Sequence, residues 1–161
     1  MRPKLRIARS EPDLRAHYSV RRSIFVREQG IFAETDLDEW DDSALHIVAE
    51  TDGEIVGAVR IYRLDDFGLW KGDRLAVLPH ARGGVGMLLV RFAVESAGLR
   101  GGYVMVANVQ EANARFFERL GWSVRGPKTD YHGRPHREVS ISLRGAVAPD
   151  AHAASVAWIT G

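Results

Sequence analysis

The sequence predicts an α+β fold in which helices flank a mixed, mostly antiparallel sheet. Two runs with strand patterning lie on either side of Asp52 and Gly53, a dipeptide typical of β-hairpin turns. After Gly83 and Gly84, apolar residues recur at helical spacing. A continuous apolar strand over 103–109 follows that helix, so the strands that the helix connects are expected to be parallel.

The first third of the chain begins with a short strand and a helix. Residues 5–10 alternate apolar and polar side chains, as a strand does. Ser10 is a suitable N-cap for a helix with Pro12 in its first turn, which we expect to cover 14–29 and to end at Gly30. Its expected buried side chains are Leu14, Tyr18, Ile24 and Phe25. The acidic segment 32–44 then predicts a loop or a short broken helix.

The rest of the chain is predicted to alternate further strands and helices. We predict strands over 45–50, 54–64 and 73–78, a helix from Val85 to the glycines at 101–102, and a strand over 103–109. A short helix over 110–121 and strands over 122–124 and 137–143 complete the pattern. We expect one domain over 1–143 and an Ala-rich tail over 144–161.

Composition limits the classes of function. The chain has 161 residues, 45% of them apolar and 27% charged, with a net charge of +1, which favours neither nucleic acid nor a membrane surface as partner. No cysteine is present, which excludes disulfides and thiolate chemistry, and no metal-ligand spacing is evident. Without an apolar signal region or membrane span, the sequence predicts a soluble cytoplasmic protein. A homodimer is one option for its assembly.

The glycine turn after Pro79 has two interpretations. Gly83, Gly84 and Gly86 let the backbone turn sharply and approach a ligand, and the free N–H groups of a helix starting near Val85 would lie beside Arg82. Such a turn suits a pyrophosphate. It is equally consistent with an ordinary tight connection between strand and helix. The turn is neither a Walker P-loop nor a dinucleotide-binding fingerprint.

Two motifs together favour the pyrophosphate interpretation. The segments "RLAVLPHARGGVGMLLV" and "ANVQEANARFFERLGW" resemble the GNAT superfamily of acyl-CoA-dependent N-acetyltransferases. The resemblance implies the GNAT fold and acetyl-CoA as co-substrate, with an acyl group passing to a primary amine of a small molecule by direct attack. It assigns donor binding to twelve residues: Leu75, Ala76, Val77, Arg82, Gly83, Gly84, Val85, Gly86, Met87, Asn113, Phe116 and Phe117.

Two positions depart from the family pattern. Counted from Gly84 and Gly86, the first position of the family's Arg/Gln-x-x-Gly-x-Gly/Ala turn is Ala81, whereas counted from Pro79 it is Arg82. The Tyr that protonates the departing thiolate in many members is replaced here by Phe117. That replacement leaves open a non-catalytic acyl-CoA sensor as an alternative function. A protein acetyltransferase is a further alternative.

The segment 21–49 resembles the front half of acyl-homoserine-lactone synthases, which share the GNAT fold. The matching residues in this segment are Arg21, Phe25, Glu34, Asp36, Trp40 and Asp41, and the later segment 69–77 also retains Trp70 and Arg74. The resemblance implies an alternative enzyme that uses S-adenosylmethionine, although Lys71 replaces a Glu of those synthases. The chain is also similar to a bacterial group of synthase-like GNAT proteins linked to nitrogen starvation, through "RLAV", "VQEANARFFERLGW" and the late motif with Gly133, Pro135 and His136.

Candidate catalytic residues come from the acidic loop and from isolated titratable groups. Six carboxylates crowd residues 34–42, a pattern that attracts a cationic amine and offers a base. A solvated acidic loop is the competing interpretation. Histidines titrate near neutral pH, and a tyrosine can serve as an acid. The candidate set is Glu34, Asp36, Asp41, His46 and Tyr131, with His136 as a further candidate.

Overall fold

A computed structural model describes residues 2–143, so the predicted tail at 144–161 lies outside the described residues. Seven strands form one sheet in the order β1-β2-β3-β4-β5-β7-β6. The strands are β1 Lys4–Ile7, β2 Leu45–Thr51, β3 Glu54–Arg63, β4 Leu69–Val77, β5 Val104–Gln110, β6 Ser123–Tyr131 and β7 Arg134–Ser142. The α-helices are α1 Glu11–Arg22, α2 Val85–Gly98 and α3 Ala114–Arg119. The predicted α+β class is confirmed.

Contacts along the chain divide it into two compact units. Within the described residues, the first holds 2–62 and Arg74–Ala93, and the second holds Arg63–Asp73 and 94–143. Strand β4 therefore contributes its first five residues to the second unit and its last four to the first. None of the helices described within 2–143 has the length and apolar run that a bilayer span requires.

In the first unit, the N-terminal helix starts as predicted and ends differently. The Ser10 hydroxyl accepts a hydrogen bond from the Asp13 N–H at 3.2 Å, which caps α1. The predicted single helix over 14–29 is wrong in its second half, because Ser23–Glu28 forms a π-helix. Its wider turn is closed by a bond from Gln29 N–H to the Ile24 carbonyl at 2.8 Å.

The β2–β3 hairpin forms the centre of the first unit. Asp52 and Gly53 have φ values of 50° and 81°, the left-handed pair of a type I′ turn. Both strands are almost fully buried, which explains their continuous apolar runs. A Cβ on Gly57 would lie 2.8 Å from Leu89 Cδ1, so this glycine permits the close approach of α2 to β3.

In the second unit, strands extend further than the sequence suggested. Strand β4 begins at Leu69 rather than Asp73, because Leu69–Lys71 pairs in parallel with Val104–Val106 of β5. The parallel connection across α2 is thus confirmed. Strand β6 continues to Tyr131 through a bulge after Arg125, held by pairing with β7 despite its polar sequence.

Candidate functional site

The glycine turn combines left-handed backbone with open space. Strand β4 ends at Val77, a single 3₁₀ turn covers Pro79–Ala81, and α2 starts at Val85. Gly83 and Gly84 have φ values of 117° and 130°, which side chains rarely tolerate. A Cβ built on either glycine would meet no atom within 4 Å. The backbone is therefore exposed along one side, as contact with a bulky ligand requires.

The start of α2 presents unpaired N–H groups next to this turn. The first bond of the helix runs from the Leu88 N–H to the Gly84 carbonyl at 3.2 Å. The N–H groups of Val85, Gly86 and Met87 precede it, and a helix supplies no internal acceptor for them. With the positive end of the helix dipole, these donors give the turn the chemistry of an anion site.

Arg82 lies across the end of β4. Its Nε donates to the Val77 carbonyl at 3.1 Å, and its Nη2 lies 2.7 Å from Oε1 of Glu28. The side chain is half exposed. The guanidinium thus lies beside the turn, and its role as a phosphate ligand stays a prediction.

A second group of charged residues forms where the acidic loop meets the strands of the first unit. We call it the Arg–Asp cluster, and it consists of Arg21, Arg60, Arg74, Asp36, Asp38 and Asp41. Arg21 lies 2.7 Å from both Asp36 and Asp41, and its side chain is 0% exposed. Arg60 is also fully buried and lies 2.6 Å from Asp38. Three positive and three negative charges cancel, as burial of so many ions demands.

Hydrogen bonds within the acidic loop hold the carboxylates of Asp38 and Asp41 in fixed positions. Asp38 caps the 3₁₀ turn Glu39–Asp42, accepting a bond from the Trp40 N–H at 3.0 Å, while the Asp38 N–H donates to Asp41 Oδ2 at 3.1 Å. This reciprocal capping box fixes both carboxylates. The Trp40 ring stacks on Tyr62 with 4.5 Å between centroids, which anchors the turn on β3.

Arg74 shows strained backbone within a strand. Its φ of 53° is left-handed, although it is not a glycine and lies inside β4. The side chain donates to the Asp36 carbonyl at 2.9 Å and to Asp38 Oδ2 at 3.2 Å, with the guanidinium 4.7 Å from the centroid of the Phe32 ring. These contacts offset the cost of the backbone conformation.

Two histidines and a tyrosine extend the Arg–Asp cluster. His46 Nε2 lies 3.2 Å from Asp41 Oδ1 and 3.3 Å from the Tyr18 hydroxyl. His17 Nδ1 donates to the Ile47 carbonyl at 3.1 Å, so its Nε2 is the acceptor that faces Arg21 Nη1 at 3.3 Å. His17 is therefore the neutral Nδ1–H tautomer.

The surroundings lower the pKa of both His17 and Asp41, which leaves the histidine neutral and the carboxylate ionised. Burial, followed by the charges of His46 and Arg21, lowers the pKa of His17 to about 3. Burial acts to raise the pKa of Asp41, but hydrogen bonds from His46, Arg21 and the Asp38 N–H outweigh it and lower that pKa. Asp41 is thus a permanently ionised group and a weak base.

Comparisons with known proteins identify the family. A profile of the acetyltransferase (GNAT) domain matches residues 42–124. A Bacillus subtilis protein named uncharacterized N-acetyltransferase YjcF is 31% identical over 135 residues, covering 83% of this chain and 95% of its own length. The chain belongs to the GNAT acetyltransferase family.

Solved structures agree with this assignment. A putative N-acetyltransferase from Lactobacillus plantarum superposes on this GNAT domain with a TM-score of 0.78 and 26% identity, covering 88% of this chain and 98% of its own. The acyl-homoserine lactone synthase BjaI, solved with SAM and isopentyl-CoA, has a TM-score of 0.70 at 19% identity, covering 81% and 76%. The second likeness shows a shared fold.

The structure of the GNAT domain brings together three of the five predicted catalytic residues. Asp36, Asp41 and His46 meet in the cluster, whereas Glu34 is exposed in the same loop. Tyr131 lies in β6 of the second unit, with its ring 5.1 Å from that of His136. Three of the loop's six carboxylates, Asp36, Asp38 and Asp41, are paired with arginines, and recruitment of a cationic amine by this loop stays a prediction.

The residues predicted to bind the donor differ in solvent exposure. Ala76 and Val85 are buried, while Asn113 is exposed at the start of α3. Phe117 is 6% exposed and packs edge-on against Trp122 at 5.3 Å. Its ring is a core side chain of the second unit, which explains why an aromatic residue without a hydroxyl is compatible with this position. Phe116 is half-buried beside it.

Sequence reasoning missed several members of the cluster in this GNAT domain. Arg60 carried a signal, because a charged residue inside the otherwise apolar run of β3 needs a buried partner. His17 and Tyr18 carried no comparable signal, since their roles depend on contacts with β2 that are 28 to 30 residues away along the chain.

Proposed function

We propose that this GNAT domain transfers an acyl group from acetyl-CoA or another acyl-CoA to a primary amine of a small molecule. The observation that carries the proposal is the open glycine turn, where two left-handed glycines precede a helix N-terminus. The acyl-CoA thioester supplies the activated acyl group. The protein's task is to bind that donor, to place the amine and to accept its proton.

The donor's pyrophosphate fits the turn on three grounds. The N–H groups from Gly83 to Met87 offer hydrogen bonds, the helix dipole favours negative charge, and Arg82 adds a guanidinium. Open space at Gly83 and Gly84 leaves room for phosphate oxygens. The resemblance further assigns Leu75–Val77 to backbone pairing with the pantetheine arm, and the N–H groups of that strand would polarise the thioester carbonyl.

On the acceptor side, the carboxylates take different roles. Glu34 is exposed and no described residue pairs with it, so we assign it to attraction of the amine and to proton acceptance. Asp36 and Asp41 are bound by arginines, so we assign them to holding the loop and orienting His46. His46 is the second candidate base. Tyr131 is a candidate acid because it lies in the final hairpin and a phenol can donate a proton.

Ligand-dependent stabilisation tests the donor site. Acetyl-CoA at 100 times its Kd should stabilise the wild-type protein by about 2.7 kcal/mol. Gly84→Glu places a negative charge in the turn and should abolish this effect. Gly101→Glu is the matched control, because Gly101 is also left-handed and open but follows the C-terminal end of α2 rather than preceding its start. Undiminished binding by Gly84→Glu would refute the site.

A second candidate is a synthase-like reaction that uses S-adenosylmethionine. The observation in its favour is that Arg21, Asp36, Asp41 and Arg74, which match acyl-homoserine-lactone synthases, assemble into one cluster. Release of methylthioadenosine in the presence of an acyl-CoA would support it. Tight acyl-CoA binding without turnover on a broad panel of amines would favour the non-catalytic sensor. Similarity to the nitrogen-starvation group is proposed from "RLAV", "VQEANARFFERLGW" and the motif with Gly133, Pro135 and His136.

A further inference from the structure

Glu28 lies at the end of the π-helix and contacts the guanidinium of the donor turn. Its Oε1 is 2.7 Å from Nη2 of Arg82, whose Nε is bonded to the Val77 carbonyl. We propose that Glu28 is a positioning residue that holds Arg82 on the Val77 carbonyl and thereby weakens donor binding. The inference rests on the proposed function, because it names a control on the same site.

The contacts of Arg82 compete directly with an acyl-CoA. A carboxylate presents the same oxygen acceptors to a guanidinium as a phosphate does, so Glu28 occupies the donors that a pyrophosphate would use. The Val77 carbonyl belongs to the strand segment assigned to the pantetheine. Binding of the donor therefore requires Arg82 to leave Glu28 and the Val77 carbonyl for the pyrophosphate. The free energy of these lost contacts is subtracted from the free energy of donor binding.

Packing fixes Glu28 in this place. Ile24 and Phe25 of the same π-helix are buried against Ala76, and Leu78 packs on the same cluster. The helical segment is thus anchored on the end of β4, with Glu28 at its exposed edge. Gly30, with a φ of 63°, turns the chain away immediately afterwards. Packing of the core therefore keeps Glu28 close to the glycine turn.

The ion pair between Arg82 and Glu28 is exposed and can break readily. The side chains of Arg82 and Glu28 are 48% and 36% exposed, in contrast to the buried arginines of the Arg–Asp cluster. Exposed pairs of this kind are weak. Removal of the Glu28 carboxylate should therefore tighten donor binding by about 1.5- to 5-fold, with a smaller effect at high salt.

Calorimetric titration with acetyl-CoA of the wild type, Glu28→Gln, Arg82→Gln and the double variant tests this inference. Glu28→Gln should bind more tightly, Arg82→Gln more weakly, and the gain from Glu28→Gln should disappear in the Arg82→Gln background. Glu11→Gln is the control for net charge. This variant breaks the exposed ion pair between Glu11 and Arg15. Glu11 lies roughly 25 Å from Glu28 along the helical segment, so the affinity for acetyl-CoA should not change.

The outcomes separate this inference from the proposed function. Unchanged or weaker binding by Glu28→Gln overturns the role of Glu28 while leaving the donor site in place. An equal gain in the Arg82→Gln background also overturns it, because the effect would then be plain repulsion of phosphate. Failure of all proteins, the wild type included, to bind acetyl-CoA overturns the proposed function and this inference with it.

Discussion

The fully buried His17 makes the stability of this protein depend on pH in a way that can be calculated. Its ring is 0% exposed, donates to the Ile47 carbonyl and accepts from Arg21. His17→Gln is the informative change, because an amide keeps one donor and one acceptor but does not titrate. The variant should fold, with a modest loss of packing against His46, whose ring centroid is 4.7 Å away.

The sign and size follow from the two protonation states. The pKa of His17 is lowered from its ordinary 6.5 to about 3, so between these values the unfolded chain binds a proton that the folded chain does not. Folding stability therefore falls as the pH falls through 6.5. At pH 5 the loss is about 2 kcal/mol, since one pH unit below the unfolded pKa costs about 1.36 kcal/mol. This corresponds to roughly 4–8 °C in Tm.

Urea denaturation at pH 7.5 and pH 5 measures this difference. The two pH values lie above the range in which Asp38 and Asp41 contribute, because their lowered pKa values protect the folded state until the pH falls below about 4 to 5. His80→Gln is the control, since the side chain of His80 is 61% exposed. Retention of the full pH dependence by His17→Gln would refute the assignment, as would its absence from the wild type.

Three further changes test the packing, each by urea denaturation. Arg21→Met should destabilise the fold by about 3–5 kcal/mol, because it leaves buried carboxylates without a partner, while Arg15→Met should cost about 0–1 kcal/mol; equal losses would contradict the cluster. Gly102→Ala should lower the free energy of unfolding by about 1–3 kcal/mol, since its Cβ would lie 2.8 Å from a backbone carbonyl. The Cβ of Gly101→Ala would meet no atom, so only its left-handed φ should destabilise that variant. Phe117→Tyr should lose about 1–3 kcal/mol by burying a hydroxyl, and a gain in stability would show that the hydroxyl finds a partner.

Local chemistry made much of the fold predictable. The Ser10 cap and the Asp52-Gly53 turn depend on residues that are close in sequence, and both are confirmed. Strand limits were less predictable where pairing overrides local character. Lys71 lies in a strand because it pairs with Val106 of β5, and the polar residues of β6 extend because β7 pairs with them.

The π-helix could not be predicted from periodicity. An α-helix and a π-helix differ by one residue in the hydrogen-bonded ring, and the apolar pattern of residues 23–28 suits both. In the folded chain, Ile24 and Phe25 of this turn lie in one buried cluster with Ala76, and Glu28 at its end contacts Arg82 across 54 residues of sequence.

The sequence by itself determined the glycine turn, because the glycines, the following helix and Arg82 lie within a few residues of one another. Only the tertiary structure decided what the acidic loop is. Spacing shows that six carboxylates are close together, yet whether each attracts a ligand or is neutralised depends on arginines from α1, β3 and β4. Because the free energy of a buried charge is set by its partners in space, Asp36 and Asp41 became structural anchors while Glu34 stayed available to solvent.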